Sequence, residues 1–331
     1  MREARTLAIL FVLLTGGVLA GLALGPASIS FPGLVRFLLG NTEALSRREL
    51  LILQGLRLPR VLLGLLVGGS LACVGTVMQG VFRNPLACPY VLGLASGASA
   101  GAAAVIKLGW SAGRPWILPL GAFLGGSLVT GAVALLGRPR SGMHPLSLVL
   151  AGVALATLFS AVTATLVYFA SPEQRAAILI WTMGGLSRAT PTAVQILAPV
   201  ALVGMAGSLG FARDLDVLAL GDAQAHHLGT RPGRVRAVLL FWATVMTATA
   251  VAFAGPIGFV GLIVPHALRL VLGPRHRTLL IASFLGGAVL LVWADLGART
   301  LLRPVELPVG LITAFLGVPF FLFLLRRRWG L

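Results

Sequence analysis

The sequence predicts an all-α membrane protein with about ten transmembrane helices. The mean hydropathy is +0.97, 57% of the residues are hydrophobic and only 11% are charged. Soluble domains carry about 25% charged residues, so this chain lacks the polar side chains that a water-exposed surface needs. Its 42 glycines and 19 prolines are typical of closely packed and interrupted transmembrane helices.

The predicted spans are apolar runs long enough to cross a bilayer, which takes about 20 residues. Ten such runs lie near residues 6–24, 60–82, 91–108, 115–136, 146–169, 192–209, 237–254, 256–271, 278–297 and 308–325. The first exceeds the apolar core of a secretory signal peptide, so we expect it to remain as a helix. The run 256–271 is short and contains Pro265, which favours a broken or tilted segment.

Two segments are too polar to span the membrane. Residues 172–190 contain a short apolar stretch, which favours a helix lying on the outer surface. Residues 210–236 form the longest loop on the opposite side. Within that loop a helix is expected at 215–229, with Asp216 suited to cap it and Gly229 suited to end it. We expect residues 1–331 to form a single transmembrane domain.

Charge distribution predicts the orientation. Ten spans place both termini on one side, and more of the 26 basic residues fall on that side than on the other. Because Lys and Arg are enriched in cytoplasmic loops, we expect cytoplasmic termini. The outer side still carries more arginines than this rule predicts, so they need a separate explanation.

Composition and motifs exclude several functions. The net charge of +17 is spread over short loops, which argues against nucleic-acid binding. The sequence has no phosphate-binding loop, and its single lysine, Lys107, lies in an outer loop without a glycine-rich context. It also lacks catalytic motifs and grouped metal ligands, so we expect no catalytic residue, no metal site and no cofactor bound by this chain.

Five segments together resemble one known family. They are RLPRVLLGLLVGGSLACVGTVMQGVFRNPLACPYVLG at 57–93, LALGDAQAHHLG at 218–229, GPIGFVGLIVPHALRL at 255–270, ADLGAR at 294–299 and ELPVGLITAFLGVPFFLFLL at 306–325. Each fragment is weakly specific. The ordered set, which extends over nearly the whole chain, is similar to the permeases of ATP-driven importers for iron chelates, haem and vitamin B12.

The resemblance implies a homodimer in the bacterial cytoplasmic membrane, with the translocation path on the dimer axis. Two copies of a cytoplasmic ATPase, which bind ATP and Mg²⁺, would dock below. A periplasmic or lipid-anchored substrate-binding protein would dock above and select a ferric siderophore, haem or cobalamin. The spans 60–171 and 237–325 would form inverted repeats, each with a Pro/Gly-rich break, at 84–93 and 255–265.

The resemblance also assigns the segment 215–229 as the helix that couples the ATPase to the membrane domain. Gly221, Ala225, Leu228 and Gly229 match the family pattern. Small residues there would allow close docking, whereas an ordinary loop helix is the alternative interpretation.

The outer arginines Arg57, Arg60 and Arg299 match the family's docking points for acidic residues of the binding protein. Guanidinium groups pair bidentately with carboxylates, which suits an orienting contact between two proteins. Anchoring to phosphate headgroups of the membrane is the alternative.

Two segments correspond to the family's cytoplasmic gate. One contains Asn84 and Leu86, and the other contains Pro145 and Leu146. The second departs from the small polar residues of some relatives and would form a more apolar constriction.

An ion-coupled secondary transporter is the alternative function. Such carriers usually place ionisable residues at mid-membrane. Here Asp295 is the only acidic residue within a predicted span, and it lies near the outer end. We expect it to pair with a nearby arginine such as Arg299.

Overall fold

The structure is a computed structural model that describes residues 2–25, 29–41, 45–137, 145–302 and 304–329. Its regular elements are helices. They are α1 (Arg2–Ala23), α2 (Phe31–Leu38), α3 (Arg47–Leu50), α4 (Leu58–Phe82), α5 (Leu94–Lys107), α6 (Ile117–Leu136), α7 (Pro145–Tyr168), α8 (Pro172–Thr182), α9 (Pro191–Gly210), α10 (Ala212–Leu218), α11 (Asp222–His227), α12 (Pro232–Ala254), α13 (Val260–Leu272), α14 (His276–Thr300) and α15 (Val309–Trp329). A π-helical stretch (Leu51–Arg57) joins α3 to α4, and a 3-10 turn (Pro89–Leu92) precedes α5.

The predicted fold class is confirmed. Within the described residues, seven helices are long and apolar enough to cross a membrane. Three shorter apolar stretches complete the set of about ten: Leu94–Lys107, Val260–Leu272 and Val309–Phe323. The short eighth span expected at 256–271 corresponds to α13, which has 13 residues.

Helix α4 forms the centre of the bundle. It is continuous with α3 over 36 residues. Within its most apolar stretch of 18 residues, 89% of the residues are buried. At about 1.5 Å per residue, this continuous helix is longer than the hydrocarbon core of a bilayer, which is about 30 Å thick. Glycines allow close packing: a Cβ atom added at Gly68 would clash with the carbonyl of Gly287, and one at Gly75 with the carbonyl of Gly261.

Helix α7 lies at the edge of the bundle. Only 11% of the residues in its most apolar 18-residue stretch are buried, compared with 61% in the corresponding stretch of α12. Leu146, Leu150 and Leu158 are exposed along it. A single copy of the chain therefore leaves most of this helix uncovered by protein.

Two interruptions of the helical backbone contact each other. Residues 255–259 between α12 and α13 are not helical, and Phe259 has a positive φ of 67°. Tyr90, in the 3-10 turn before α5, forms hydrogen bonds with the backbone of Ile257. The Pro/Gly-rich breaks that the sequence places at 84–93 and 255–265 are thus neighbours in space, although the inverted repeat stays a prediction.

The bundle has two polar ends, each named here after its central carboxylate. The Asp295 end contains Arg57, Arg60, Asp295, Arg299 and Glu306, linked by side-chain contacts to one another or to the end of α1. The Asp222 end contains Arg83, Asp216, Asp222, Arg236 and His276. The contacts at the Asp295 end join the end of α1, the start of α4 and the end of α14. This arrangement is expected when successive spans run in opposite directions.

Two surface segments differ from their predicted form. In the expected outer helix at 172–190, only Pro172–Thr182 is helical, beginning at a capping box formed by Ser171 and Gln174. The stretch 215–229 is divided between α10 and α11 by Gly221, whose φ of 115° favours glycine.

The prediction that Asp216 caps the helix at 215–229 is wrong. Asp216 lies inside α10, and its carboxylate accepts a hydrogen bond from the backbone amide of His276 at 2.9 Å. The first turn of α14 has unpaired amides that need an acceptor, and Asp216 supplies one from a neighbouring element.

Candidate functional site

The Asp295 end is built around one buried carboxylate. Arg60 Nε donates to both oxygens of Asp295, at 3.0 and 3.2 Å. Arg299 lies one turn along α14 from Asp295, and its Nε is 3.2 Å from Oδ2. The expected pairing of Asp295 with Arg299 is therefore present. The Asp295 side chain is 3% exposed, so the two guanidinium groups supply the compensation that a buried charge requires.

Arg57 and Arg299 also hold the end of α1. Arg57 Nη1 donates to the carbonyl oxygens of Leu22 and Ala23, at 2.6 and 2.8 Å, and Arg299 Nη2 donates to Gly21 at 3.0 Å. These carbonyls are among the last of the helix and have no partner within it. The two arginines thus fasten α1 to the bundle.

The three arginines predicted to dock a binding protein therefore lie together at one end, but they face inward. Arg57 and Arg299 are buried, and the Arg60 side chain is 13% exposed. Glu306 accepts from Arg60 Nη1 at 2.8 Å and is 34% exposed. Glu306 is the surface-facing member of the group, and the sequence alone did not single it out. Docking by the arginines stays a prediction.

At the Asp222 end, the segment predicted for coupling presents two leucines to solvent. Leu228 is 59% exposed and Leu220 is 60% exposed, on either side of α11. Ala225 is fully buried in the core of its own chain, so its small side chain serves internal packing. Gly221 and Gly229, both with positive φ, shape the turns before and after α11. Leu220 was missed because an isolated leucine in a loop carries no distinctive pattern.

Asp222, the first residue of α11, joins two other elements. Arg236 of α12 binds it bidentately, with Nη1 at 2.8 Å from Oδ2 and Nη2 at 2.7 Å from Oδ1. Arg83, at the end of α4, forms an ion pair with the same carboxylate. Burial lowers the pKa of Arg83, and the charge of Arg236 lowers it further. The sequence did not predict this cluster because its members lie on three different elements, and Arg83 is 139 residues from Asp222 along the chain.

The predicted gate residues Asn84 and Leu86 form the turn after Arg83. The side-chain oxygen of Asn84 accepts from the Leu86 amide at 2.9 Å, which fixes an Asx turn. Leu86 is 44% exposed and Leu146, in the first turn of α7, is 61% exposed. The side chain of Pro145 lies outside the described residues. A gating role for these four residues stays a prediction.

An open, mainly apolar cavity of about 400 Å³ lies between α5 and α7. Among the residues that the structure describes, its lining includes Tyr90, Ser96, Ser99, Ser160, Thr163 and Thr182 and no charged side chain. Within the part of the chain that the structure describes, no group of three or more His, Cys, Asp and Glu is suited to hold a metal ion. Four of the lining hydroxyl groups, those of Tyr90, Ser96, Thr163 and Thr182, already donate to backbone carbonyls of this chain, so the cavity offers a ligand mainly apolar contact.

The fold and its two polar ends define a polytopic helical membrane protein. The FecCD transport family model matches residues 10–327, so the chain belongs to that family. The family resemblance drawn from the five motifs is confirmed.

Named relatives and one solved structure extend this match. The chain is 46% identical to the cobalamin import system permease protein BtuC of Halobacterium salinarum, covering 84% of this chain and 74% of the relative. It is 40% identical to the hemin transport system permease protein HmuU of Yersinia pestis, covering 93% and 92%. It also resembles a metal-chelate type ABC transporter solved in an inward-facing conformation, with 31% identity, a TM-score of 0.85 and coverage of 98% and 99%.

Proposed function

We propose that this chain is the membrane-spanning subunit of an ATP-binding-cassette importer that moves a large metal chelate into the cytoplasm. The single observation that carries this proposal is the match to a metal-chelate type ABC transporter over nearly the full length of both chains. Relatives named for cobalamin, hemin and Fe(3+) dicitrate support the same class, because all three cargoes are metal chelates.

In this proposal, ATP is hydrolysed by a separate polypeptide. The sequence has no phosphate-binding loop, which an ATPase of this class requires. The exposed Leu220 and Leu228 give α11 an apolar contact for a cytoplasmic ATPase. The Asp222 end then faces the cytoplasm together with both termini, and the Asp295 end faces a substrate-binding protein outside.

A homodimer accounts for the uncovered face of α7. With 11% of its apolar part buried, this helix has room for a second copy of the chain. The cavity between α5 and α7 would then border a path for the chelate. A mainly apolar, uncharged lining would hold the chelate weakly and reversibly, which suits a path that must release its cargo.

The proposal is tested by transport into proteoliposomes. The chain is reconstituted with its ATPase and binding protein, and uptake of radiolabelled ferric siderophore, haem and cobalamin is measured with ATP. We expect uptake of at least one chelate that requires hydrolysable ATP and both partners. Uptake driven by an ion gradient, without the ATPase, would instead favour the secondary transporter.

A further inference from the structure

The contacts of Asp222 connect the segment predicted for coupling with the segment predicted as a gate. Asp222 begins α11, and its carboxylate contacts Arg236 of α12 and Arg83 at the end of α4. Arg83 is followed directly by the turn that contains Asn84 and Leu86. A movement of α11 therefore acts on both α12 and the gate turn through one side chain.

The two ion pairs differ in how easily they separate. The Arg236 side chain is 4% exposed, and its bond to Asp222 is bidentate. Separating that pair leaves a charge buried without compensation, which is strongly unfavourable. The Arg83 side chain is 36% exposed, and water can replace its partner at little expense. Asp222 is therefore anchored to Arg236 and releasable from Arg83.

The backbone at Arg83 is suited to transmit such a release. Arg83 has a positive φ of 49°, which is unfavourable for a residue with a side chain. It terminates α4, the central helix of the bundle, and its ion pair tethers that conformation to α11. Release of the tether frees the turn without disturbing α12.

We infer that Asp222 is a positioning residue that couples α11 to the gate turn by remaining on Arg236 while releasing and regaining Arg83 during transport. This inference rests on the proposed function. It assigns the mechanical link between ATPase docking and gating to the Arg83–Asp222 ion pair.

The test compares Arg83→Gln with Arg83→Lys and with Arg234→Gln as a matched control. Arg234 is an exposed arginine in the first turn of α12 at the same end. In proteoliposomes, we expect Arg83→Gln to keep ATP hydrolysis and ATPase binding but to lower chelate transported per ATP by up to about fivefold, the largest effect that losing one exposed pair produces. Arg83→Lys should retain most of the transport, and Arg234→Gln should behave as the wild type.

A second measurement separates coupling from a merely structural role. Spin labels at Ala223 and Leu86, both exposed, report the distance between α11 and the gate turn before and after ATP addition. In the wild type we expect the two labels to change their separation with ATP, and in Arg83→Gln to lose that ATP-dependent change. Unaltered transport per ATP in Arg83→Gln would overturn the inference. Absence of transport by the wild type would instead overturn the proposed function.

Discussion

The hydroxyl group of Tyr90 donates a hydrogen bond to the carbonyl oxygen of Ile257 and accepts one from the Ile257 amide, both at 2.9 Å. Ile257 lies in the non-helical stretch between α12 and α13, where neither backbone group has a helical partner. Unpaired backbone groups are strongly unfavourable in a bilayer. One side chain therefore satisfies both groups and makes the break between these helices tolerable.

Tyr90→Phe should destabilise the protein without changing the size of its core. The substitution leaves the amide and carbonyl of Ile257 unpaired, and we expect a loss of about 1–3 kcal/mol. Thermal unfolding in detergent measures it. Tyr168→Phe is the matched control, since Tyr168 is 75% exposed, and it should change stability little. Equal effects of the two variants would contradict this role of Tyr90.

Asp295→Asn should be more destabilising than Glu306→Gln, although both remove a partner of Arg60. Asp295 is 3% exposed and contacts two arginines, so its loss leaves buried guanidinium groups uncompensated, with an expected effect of about 3–5 kcal/mol. Glu306 is 34% exposed, and its loss should change stability by about 0–1 kcal/mol. Chemical denaturation of the two purified variants measures which substitution lowers the free energy of unfolding more.

Glu306→Gln should strengthen docking of the binding protein. In the free chain Glu306 occupies Nη1 of Arg60, so an incoming carboxylate from a partner must compete with it. Neutralising Glu306 removes the competitor while Asp295 still orients Arg60. We expect slower dissociation in surface plasmon resonance. Unchanged or weaker binding would indicate that Arg60 is not a docking point.

Gly75→Ala should prevent correct packing of α4 against α13. An added Cβ would clash with the carbonyl of Gly261, which is backbone and cannot rotate away. Gly131→Ala is the control, because nothing lies within 4 Å of the added atom, and it should be neutral or stabilising by up to about 1 kcal/mol. Size-exclusion chromatography of detergent extracts should show monodisperse protein for Gly131→Ala and largely aggregated protein for Gly75→Ala.

Hydropathy and motif order predicted the spans, the short segment at 256–271 and the family, because these depend on residues close together in sequence. The role of Tyr90 and the Asp222 cluster could not be predicted, since their partners lie on other helices. Ala225 shows a different limit. A small apolar residue produces the same pattern whether it packs inside its own chain or against a partner, and only its burial distinguishes the two.

Leu220 and Leu228 give the most direct test of where an ATPase docks. Each is about three-fifths exposed beside α11, and burying a leucine in an interface stabilises it by about 1.5–3 kcal/mol. Replacing either by serine should therefore weaken ATPase binding about tenfold or more, while the isolated chain keeps its stability. Leu108→Ser, at the far end of α5 and 56% exposed, is the matched control and should leave binding unchanged. Titration calorimetry with the purified ATPase measures the difference. If Leu220→Ser and Leu228→Ser bind the ATPase as tightly as the wild type does, the docking surface lies outside 220–228.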